Sequence, residues 1–175
     1  MEAGKNIAFA GFMGAGKDEV GLRVADTLGL DFFAIDKIFV KRHGPIENIL
    51  NRNDDSAFRV LERKILSELL AMKDTVISLG GGTLVNAFNG EPNYEDALER
   101  CVVVWLEVDF DVAKRRVEND PKKIKRPLFD KDARARFDLR QPLYDKAAHI
   151  IVDANRPIED VVADVMKAIE KHSNS

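Results

Sequence analysis

Short apolar segments alternate with amphipathic segments along most of the chain. The apolar segments predict β-strands, which we place at Asn6–Ala10, Leu30–Ile35, Thr75–Leu79, Cys101–Val108 and Ile150–Val152. Several of them are apolar at almost every position instead of at every second position. This pattern is typical of strands that are covered on both faces, as in a parallel sheet.

The amphipathic segments predict helices between these strands. Apolar residues recur there at three- and four-residue spacing, which places them on one face of a helix. These segments are Lys17–Leu28, Ala57–Ala71, Phe110–Glu118, Ala133–Ala147 and Ile158–Ile169. The alternation predicts a three-layer α/β fold, with a parallel sheet between layers of helices. In such a fold the ligand binds beyond the carboxyl ends of the strands.

The composition is that of a globular protein and gives several other classes no support. Of 175 residues, 45% are hydrophobic and 33% are charged, so we expect one domain over residues 1–175 and no extensive disorder. The net charge of −3 gives no reason to expect a nucleic-acid partner. The single cysteine, Cys101, excludes an internal disulfide, and no segment approaches the roughly 20 apolar residues of a membrane helix. We therefore expect a cytoplasmic protein with neither nucleic-acid nor membrane partners.

A glycine-rich turn follows the first predicted strand and precedes the first predicted helix. Gly11–Lys17 reads GFMGAGK and fits the phosphate-binding pattern GxxxxGK. The backbone N–H groups of Gly14, Ala15 and Gly16 can turn toward phosphate oxygens, while the helix N-terminus and Lys17 supply positive charge. The alternative is an ordinary turn with an exposed lysine, but the strand and helix on either side favour nucleotide binding.

Asp18 departs from this pattern, because the residue after the lysine is usually Ser or Thr, whose hydroxyl ligates Mg²⁺. A carboxylate beside phosphates is repulsive unless a cation compensates its charge. The ordinary role for Asp18 is that of a first-turn carboxylate that the helix dipole stabilises. The position that usually ligates the metal is therefore where this loop departs from the usual pattern.

Six motifs occur in an order that resembles the shikimate kinase family, over roughly residues 6–170. They are GFMGAGK, the aspartate that ends FFAID at Asp36, FRxxE from Phe58, GGG at Gly80–Gly82, RPL from Arg126 and RxPLY from Arg140. The resemblance implies the P-loop fold of nucleoside monophosphate kinases, with a five-stranded parallel sheet in the order 2-3-1-4-5. It also implies a helical substrate-binding region at about 36–62 and a lid at about 120–131.

The same resemblance implies an activity. It predicts a cytoplasmic, monomeric enzyme that uses ATP and Mg²⁺ to phosphorylate the 3-hydroxyl of shikimate, giving shikimate 3-phosphate and ADP in aromatic amino-acid biosynthesis. Two other interpretations stay open at this point. One is a catalytically degenerate relative that binds nucleotide or shikimate, and the other is a kinase for another small polyol acid.

The resemblance assigns substrate binding to three of the motifs. Arg59 and Arg140 match the arginines that bind the shikimate carboxylate, a role that a planar guanidinium fills better than a lysine. Asp36 matches the aspartate that hydrogen-bonds substrate hydroxyls and orients or deprotonates the nucleophile. Gly80–Gly82 lets the backbone approach the substrate ring closely. Without the motifs, the arginines are solvated helix residues and Asp36 is a helix N-cap, which is compatible with substrate binding.

The remaining assignments concern the nucleotide and the transferring phosphate. Lys17 and Arg126 are, with Asp36, the expected catalytic residues, and Arg126 is expected to close over the phosphate from the lid. Outside the motif, Arg126 belongs to a charged run, which is usually a solvated face. Arg116 and Pro157 resemble the residues that flank the adenine.

The expected Mg²⁺ site differs from the family pattern at two positions. Ala34 stands where the family usually has a second aspartate, two residues before Asp36, that helps to hold the magnesium shell. Asp18 stands where a hydroxyl is usual. Relative to the family pattern, one carboxylate is lost at position 34 and one is gained at position 18, so their number near the metal is unchanged. Asp18 is therefore the candidate metal ligand.

Overall fold

The computed structural model describes residues 4–50, 55–84, 99–121 and 129–174. The strands are β1 (Asn6–Ala10), β2 (Asp31–Ala34), β3 (Thr75–Ser78), β4 (Cys101–Glu107) and β5 (Ile150–Asp153). The helices are α1 (Lys17–Leu28), α2 (Ile35–His43), α3 (Glu47–Leu50), α4 (Asp55–Leu70), α5 (Phe110–Glu118), α6 (Ala133–Ala147) and α7 (Ile158–Ser173). Arg126 and most of the predicted lid lie outside the described residues.

One parallel sheet organises the molecule. Its strand order is β2-β3-β1-β4-β5, and every neighbouring pair is parallel. The central strand β1 pairs Ile7 with Val76 of β3 on one side and with Val102 of β4 on the other. All residues of β1 and β3 are buried, as expected for apolar strands covered on both faces. The predicted fold class and strand order are therefore confirmed.

The helices cover the sheet with the faces that their periodicity predicts. On α1 the buried residues include Val20 and Val24, and on α7 they include Val161 and Val165. These two helices pack against each other, while α2 and α3 pack against α4. The helical segment after β2 is thereby held against α4.

The hydrophobic pattern misses two helices and displaces several boundaries by about one to four residues, among them the end of the second strand. The second strand was expected to reach Ile35, but Ile35 is the first residue of α2 and is fully buried there. An apolar residue can enter the core from a strand or from a helix, so its hydrophobicity does not mark the change of backbone. Helices α2 and α3 follow without a long apolar stripe of their own.

Two further expectations concern Cys101 and membrane spans. Cys101 is buried in β4, as its apolar neighbours predict, and burial raises the pKa of its thiol to about 12. Within the described part of the chain, no helix is both long enough and apolar enough to cross a membrane.

Candidate active site

Two adjoining cavities lie at the carboxyl edge of the sheet, where ligands bind in folds of this class. The larger has a volume of about 800 Å³ and is lined by the phosphate loop and the segments after β4 and β5. The smaller has a volume of about 450 Å³ and is lined by α2, α4, the triple glycine and Arg140. Both cavities are lined by Met13, Asp18, Asp36, Lys37 and Gly81. The site is therefore two chambers with a shared wall.

The phosphate loop connects β1 to α1 and forms one wall of the larger cavity, with Gly14, Ala15, Gly16 and Lys17 among its lining residues. Gly16, the N-cap of α1, has φ 91° and ψ 12°, a left-handed conformation that glycine adopts without strain. The Lys17 ammonium donates hydrogen bonds to the carbonyls of Gly11 at 2.8 Å and Phe12 at 3.1 Å. These bonds hold the Lys17 ammonium at the loop, where phosphate oxygens can replace the two carbonyls as its hydrogen-bond acceptors.

Asp18 lies beside this lysine and has a partner on each carboxylate oxygen. Ser78, at the end of β3, donates its hydroxyl to Oδ1 at 2.7 Å, and Lys37 Nζ lies 3.3 Å from Oδ2. Burial opposes the charge of the carboxylate, but the Ser78 hydrogen bond and the charges of Lys37 and Lys17 outweigh it and lower the pKa of Asp18. Asp18 is therefore ionised at neutral pH.

Arg116 and Pro157 line the larger cavity together with the phosphate loop. The Arg116 guanidinium contacts the carbonyls of Gly14 at 3.4 Å and Arg156 at 3.2 Å, so it links the phosphate loop to the segment after β5. Burial and the charge of Arg115 lower the pKa of Arg116. The structure thus places both residues in the expected cavity, and their contact with adenine stays a prediction.

Arg140 is buried in the smaller cavity, with 6% of its surface exposed. Of the charged residues that line this cavity, only Glu62 is more buried. Arg140 lies in α6, and its guanidinium is 5.9 Å from the centroid of the Phe12 ring and interacts with the hydroxyl of Tyr144. Burial and the charge of Arg59 lower the pKa of Arg140, although Tyr144 offsets part of this effect. Among the described residues, no carboxylate forms an ion pair with Arg140. This cationic group is suited to an anionic ligand.

Arg59 is held in the same cavity by a buried carboxylate. Its Nη1 lies 2.9 Å from Glu62 Oε2, one turn later on α4, while Glu62 Oε1 accepts a 2.7 Å hydrogen bond from Thr83. A Cβ at Gly82 would lie 2.8 Å from Arg59 Nη1, so a larger residue there would move the guanidinium from its present position. The triple glycine therefore shapes the arginine site as well as bringing backbone toward a ligand.

Asp36 occupies the junction of the two cavities. It follows β2 in the first turn of α2 and lines both chambers. Its Oδ1 lies 3.1 Å from the position of a Cβ on Gly80, which places the carboxylate against the triple glycine. A carboxylate at this point faces the phosphate loop on one side and the two arginines on the other.

The oxygen donors of the larger cavity fit a divalent cation that a nucleotide brings with it. Asp18, Asp36 and Ser78 line this cavity, and Mg²⁺ is usually held by one or two carboxylates together with phosphate oxygens and water. An ionised carboxylate has about four lone-pair sites, so the partners of Asp18 do not exhaust it. In the described ranges, no cluster of three His, Cys, Asp or Glu side chains could hold a metal without such help.

The structure gathers the sequence-predicted residues into two groups. The phosphate loop, Asp18, Arg116 and Pro157 line the larger cavity; the triple glycine, Arg59 and Arg140 line the smaller one. Arg126 is not among the described residues, so its place in the site stays a prediction.

Three residues that contact the candidate site residues were given no role in the sequence analysis. Glu62 and Tyr144 follow Arg59 and Arg140 by one helical turn, and this spacing could have indicated that each shares a face with its arginine. Lys37 carries no such signal, because its partner Asp18 belongs to another helix.

The comparison with protein families decides the membership of the chain. A family model described as shikimate kinase matches residues 13–170. The chain belongs to the shikimate kinase family. A relative from Streptococcus gordonii named shikimate kinase is 38% identical over 129 residues, which cover 73% of this chain and 74% of the relative. A relative of the same name from Sulfurihydrogenibium sp. is 35% identical over 127 residues, covering 71% and 74%.

A solved structure extends this similarity to the fold. The shikimate kinase from Acinetobacter baumannii, in complex with shikimate, matches with a TM-score of 0.84 and 30% identity. The match covers 95% of this chain and 93% of that one. The resemblance that the six motifs indicate is therefore confirmed by sequence and by structure.

Proposed function

We propose that this protein transfers the γ-phosphoryl group of ATP to the 3-hydroxyl of shikimate, giving shikimate 3-phosphate and ADP. One observation carries the proposal: the phosphate-loop cavity and the arginine-lined cavity meet at Asp36. A kinase needs its two substrates in adjacent positions, because most of its catalytic effect comes from alignment and charge stabilisation. The relative from Acinetobacter baumannii, whose complex contains shikimate, supports the choice of acceptor.

Shikimate binds in the smaller cavity with its carboxylate on Arg140 and Arg59. Arg140 offers a buried guanidinium, and Arg59 keeps its orientation through Glu62. A planar guanidinium can bind a carboxylate through two parallel hydrogen bonds, which fixes the ring as well as attracting its charge. The backbone of Gly80–Gly82 forms the wall against which the ring and its hydroxyls rest.

The transfer takes place at the junction of the cavities. The 3-hydroxyl oxygen forms a bond to the γ-phosphorus, while the bond from that phosphorus to the β–γ bridging oxygen breaks and ADP leaves. Asp36 orients the hydroxyl and accepts its proton. Lys17 stabilises the phosphoryl oxygens, and Arg126 adds a second positive charge from the lid.

Asp18 would hold, directly or through water, a Mg²⁺ ion that arrives with the nucleotide in the larger cavity. The cation supplies charge neutralisation for the phosphate groups when it is bound. Because Ala34 carries no oxygen in its side chain, Asp18 would provide a second carboxylate beside Asp36 in this cavity. A cytoplasmic location, monomeric state and the absence of nucleic-acid and membrane partners complete the proposal, and the reduced, buried Cys101 is consistent with that location.

Release of ADP, measured with and without shikimate, tests the reaction. We expect ADP production to rise when shikimate is added, and mass spectrometry to find a phosphorylated product. Shikimate binding without turnover would instead favour a degenerate relative. Turnover with a different polyol acid, and none with shikimate, would favour the other kinase.

The role of Asp18 in metal binding requires its own cycle of variants. We compare Asp18→Ser, Ala34→Asp and the double variant for Mg²⁺-dependent turnover. A relocated carboxylate predicts that Asp18→Ser alone loses activity and that adding Ala34→Asp restores it. An Asp18→Ser variant more active than the parent would show that Asp18 impairs the site.

A further inference from the structure

Lys37 is a cation at the junction that the proposed reaction does not use. It follows Asp36 in α2 and lines both cavities. Its Nζ lies 3.3 Å from Asp18 Oδ2 and 5.7 Å from the centroid of the Phe32 ring on β2. The ammonium is therefore placed between an aromatic face and a carboxylate, although 66% of the side chain is exposed.

Asp18 creates an electrostatic problem for a phosphate site. It is the second residue of α1, directly after Lys17, and it lines the cavity that would receive the nucleotide. Its carboxylate accepts a 2.7 Å hydrogen bond from Ser78 and lies 3.3 Å from the Lys37 ammonium, contacts that suit its charged form. Phosphate groups that enter this cavity would meet a negative charge beside the lysine that attracts them, which weakens their binding.

The two partners of Asp18 do different things to that charge. The hydroxyl of Ser78 is neutral, so its 2.7 Å hydrogen bond to Oδ1 orients the carboxylate and leaves its charge in place. Lys37 at Oδ2 brings a full positive charge and is supplied by a separate helix. The pair is half exposed, and exposed ion pairs add only about 0–1 kcal/mol to folding stability. Its effect should therefore be seen in ligand binding.

We propose that Lys37 is a positioning residue for the nucleotide, whose ammonium neutralises Asp18 and so allows phosphates to bind beside a carboxylate. The inference rests on the nucleotide-binding part of the proposed function. This neutralisation requires no metal, because the positive charge opposite Asp18 is that of Lys37. The inference therefore makes a prediction about nucleotide binding in the absence of divalent cations.

Calorimetric titration of the whole protein with ADP in EDTA tests the inference. The variants are Lys37→Met, Asp18→Asn and the double variant. Lys37→Met should bind ADP about tenfold more weakly than the parent, because Asp18 is left uncompensated. The double variant should bind within about twofold of Asp18→Asn, since the carboxylate that Lys37 neutralises is then absent.

Lys41→Met is the matched control. Lys41 lies one turn later on α2 and, of the two cavities, lines only the smaller one, so the variant removes the same charge from the same helix outside the cavity that receives ADP. ADP affinity should change less than about twofold in this variant. If Lys37→Met fails to fold, as judged by circular dichroism, Lys37→Gln takes its place.

Four results would overturn the inference. They are an unchanged affinity in Lys37→Met, the same loss from Lys37→Met with and without Asp18, a loss in Lys41→Met as large as that in Lys37→Met, and a parent that binds ADP only when Mg²⁺ is present. A parallel titration with Mg²⁺ separates the two proposals. A parent that binds no nucleotide under either condition contradicts the proposed function itself.

Discussion

The phosphate loop in the larger cavity and Arg140 in the smaller one differ in whether their charged groups already have partners. In the larger cavity, Lys17 is hydrogen-bonded to carbonyls of its own loop and Asp18 is paired with Lys37. In the smaller cavity, Arg140 is buried against Phe12 and Tyr144 without a carboxylate partner in the described part of the chain. A ligand in the larger cavity has to replace the hydrogen bonds of Lys17, whereas a ligand in the smaller cavity meets the Arg140 guanidinium without displacing a carboxylate.

This difference has an energetic consequence. A buried cation without an opposite charge carries an unfavourable desolvation cost, and an anionic ligand removes much of it on binding. Charges that already have partners gain less from a ligand, because one contact replaces another. We therefore expect substitutions in the smaller cavity to change affinity more than substitutions among the paired charges of the larger one.

The largest effect is expected from Arg140→Ala. This variant should weaken shikimate binding by about 2–5 kcal/mol, because the ligand carboxylate enters a buried position without its main partner. ATP affinity should change little. Separate calorimetric titrations with shikimate and ATP measure both. Equal losses for both ligands in a folded variant would contradict the assignment, and Arg134→Gln on the exposed face of α6 is the control.

Arg59→Ala should act in the same direction, but with a complication that the structure identifies. Removing Arg59 leaves the buried Glu62 carboxylate without its cation, so the free energy of unfolding should fall as well. Adding Glu62→Gln should recover stability while shikimate binding stays weak. Recovery of both would mean that Arg59 serves only to neutralise Glu62.

A smaller effect, on turnover, is expected from Arg126→Ala. Loss of a charge that stabilises the transferring phosphate should lower kcat by about 100-fold while shikimate affinity changes far less. Steady-state kinetics and shikimate titration separate the two quantities. An unchanged kcat would remove Arg126 from the mechanism, and an equal loss of shikimate affinity would assign it to the smaller cavity.

The smallest effect at neutral pH is expected from Tyr144→Phe, which tests the support of the smaller cavity. The Tyr144 hydroxyl donates a 2.5 Å hydrogen bond to the carbonyl of Gly81, and its loss should lower the free energy of unfolding at pH 7 by about 1 kcal/mol. Chemical denaturation measures this difference. A change below the error of the method would mean that this hydrogen bond contributes nothing net.

The same tyrosine predicts a pH dependence. Burial raises the pKa of Tyr144 from 10.0 to about 12, so its protonated form is favoured in the folded state. Its contribution is fully present below about pH 10 and is lost as the pH rises from about 10 to about 12, by about 2–3 kcal/mol at most. The phenylalanine variant should lack this part of the alkaline loss. Parallel alkaline profiles for the two proteins would contradict the expectation.

The predictability of the fold and of the site differed along the chain. The strands were predictable because β1 and β4 are apolar over most of their length, a pattern that is typical of strands buried on both faces. The hydrophobic pattern did not predict helices α2 and α3, since short helices packed against α4 need no long stripe of their own, and only the family resemblance implied a helical region at about 36–62. The candidate residues came from motifs, which indicate what residues do in a family without indicating what they contact.

The sequence by itself determined the fold class, the phosphate loop and the family, because these depend on local pattern and on motifs in a fixed order. Only the tertiary structure decided which charges compensate one another. Arg59 meets Glu62 within one helix, but Asp18 meets Lys37 from another helix and Ser78 from a strand end. Such contacts depend on how parallel strands bring their carboxyl ends together, and no spacing along the chain encodes them.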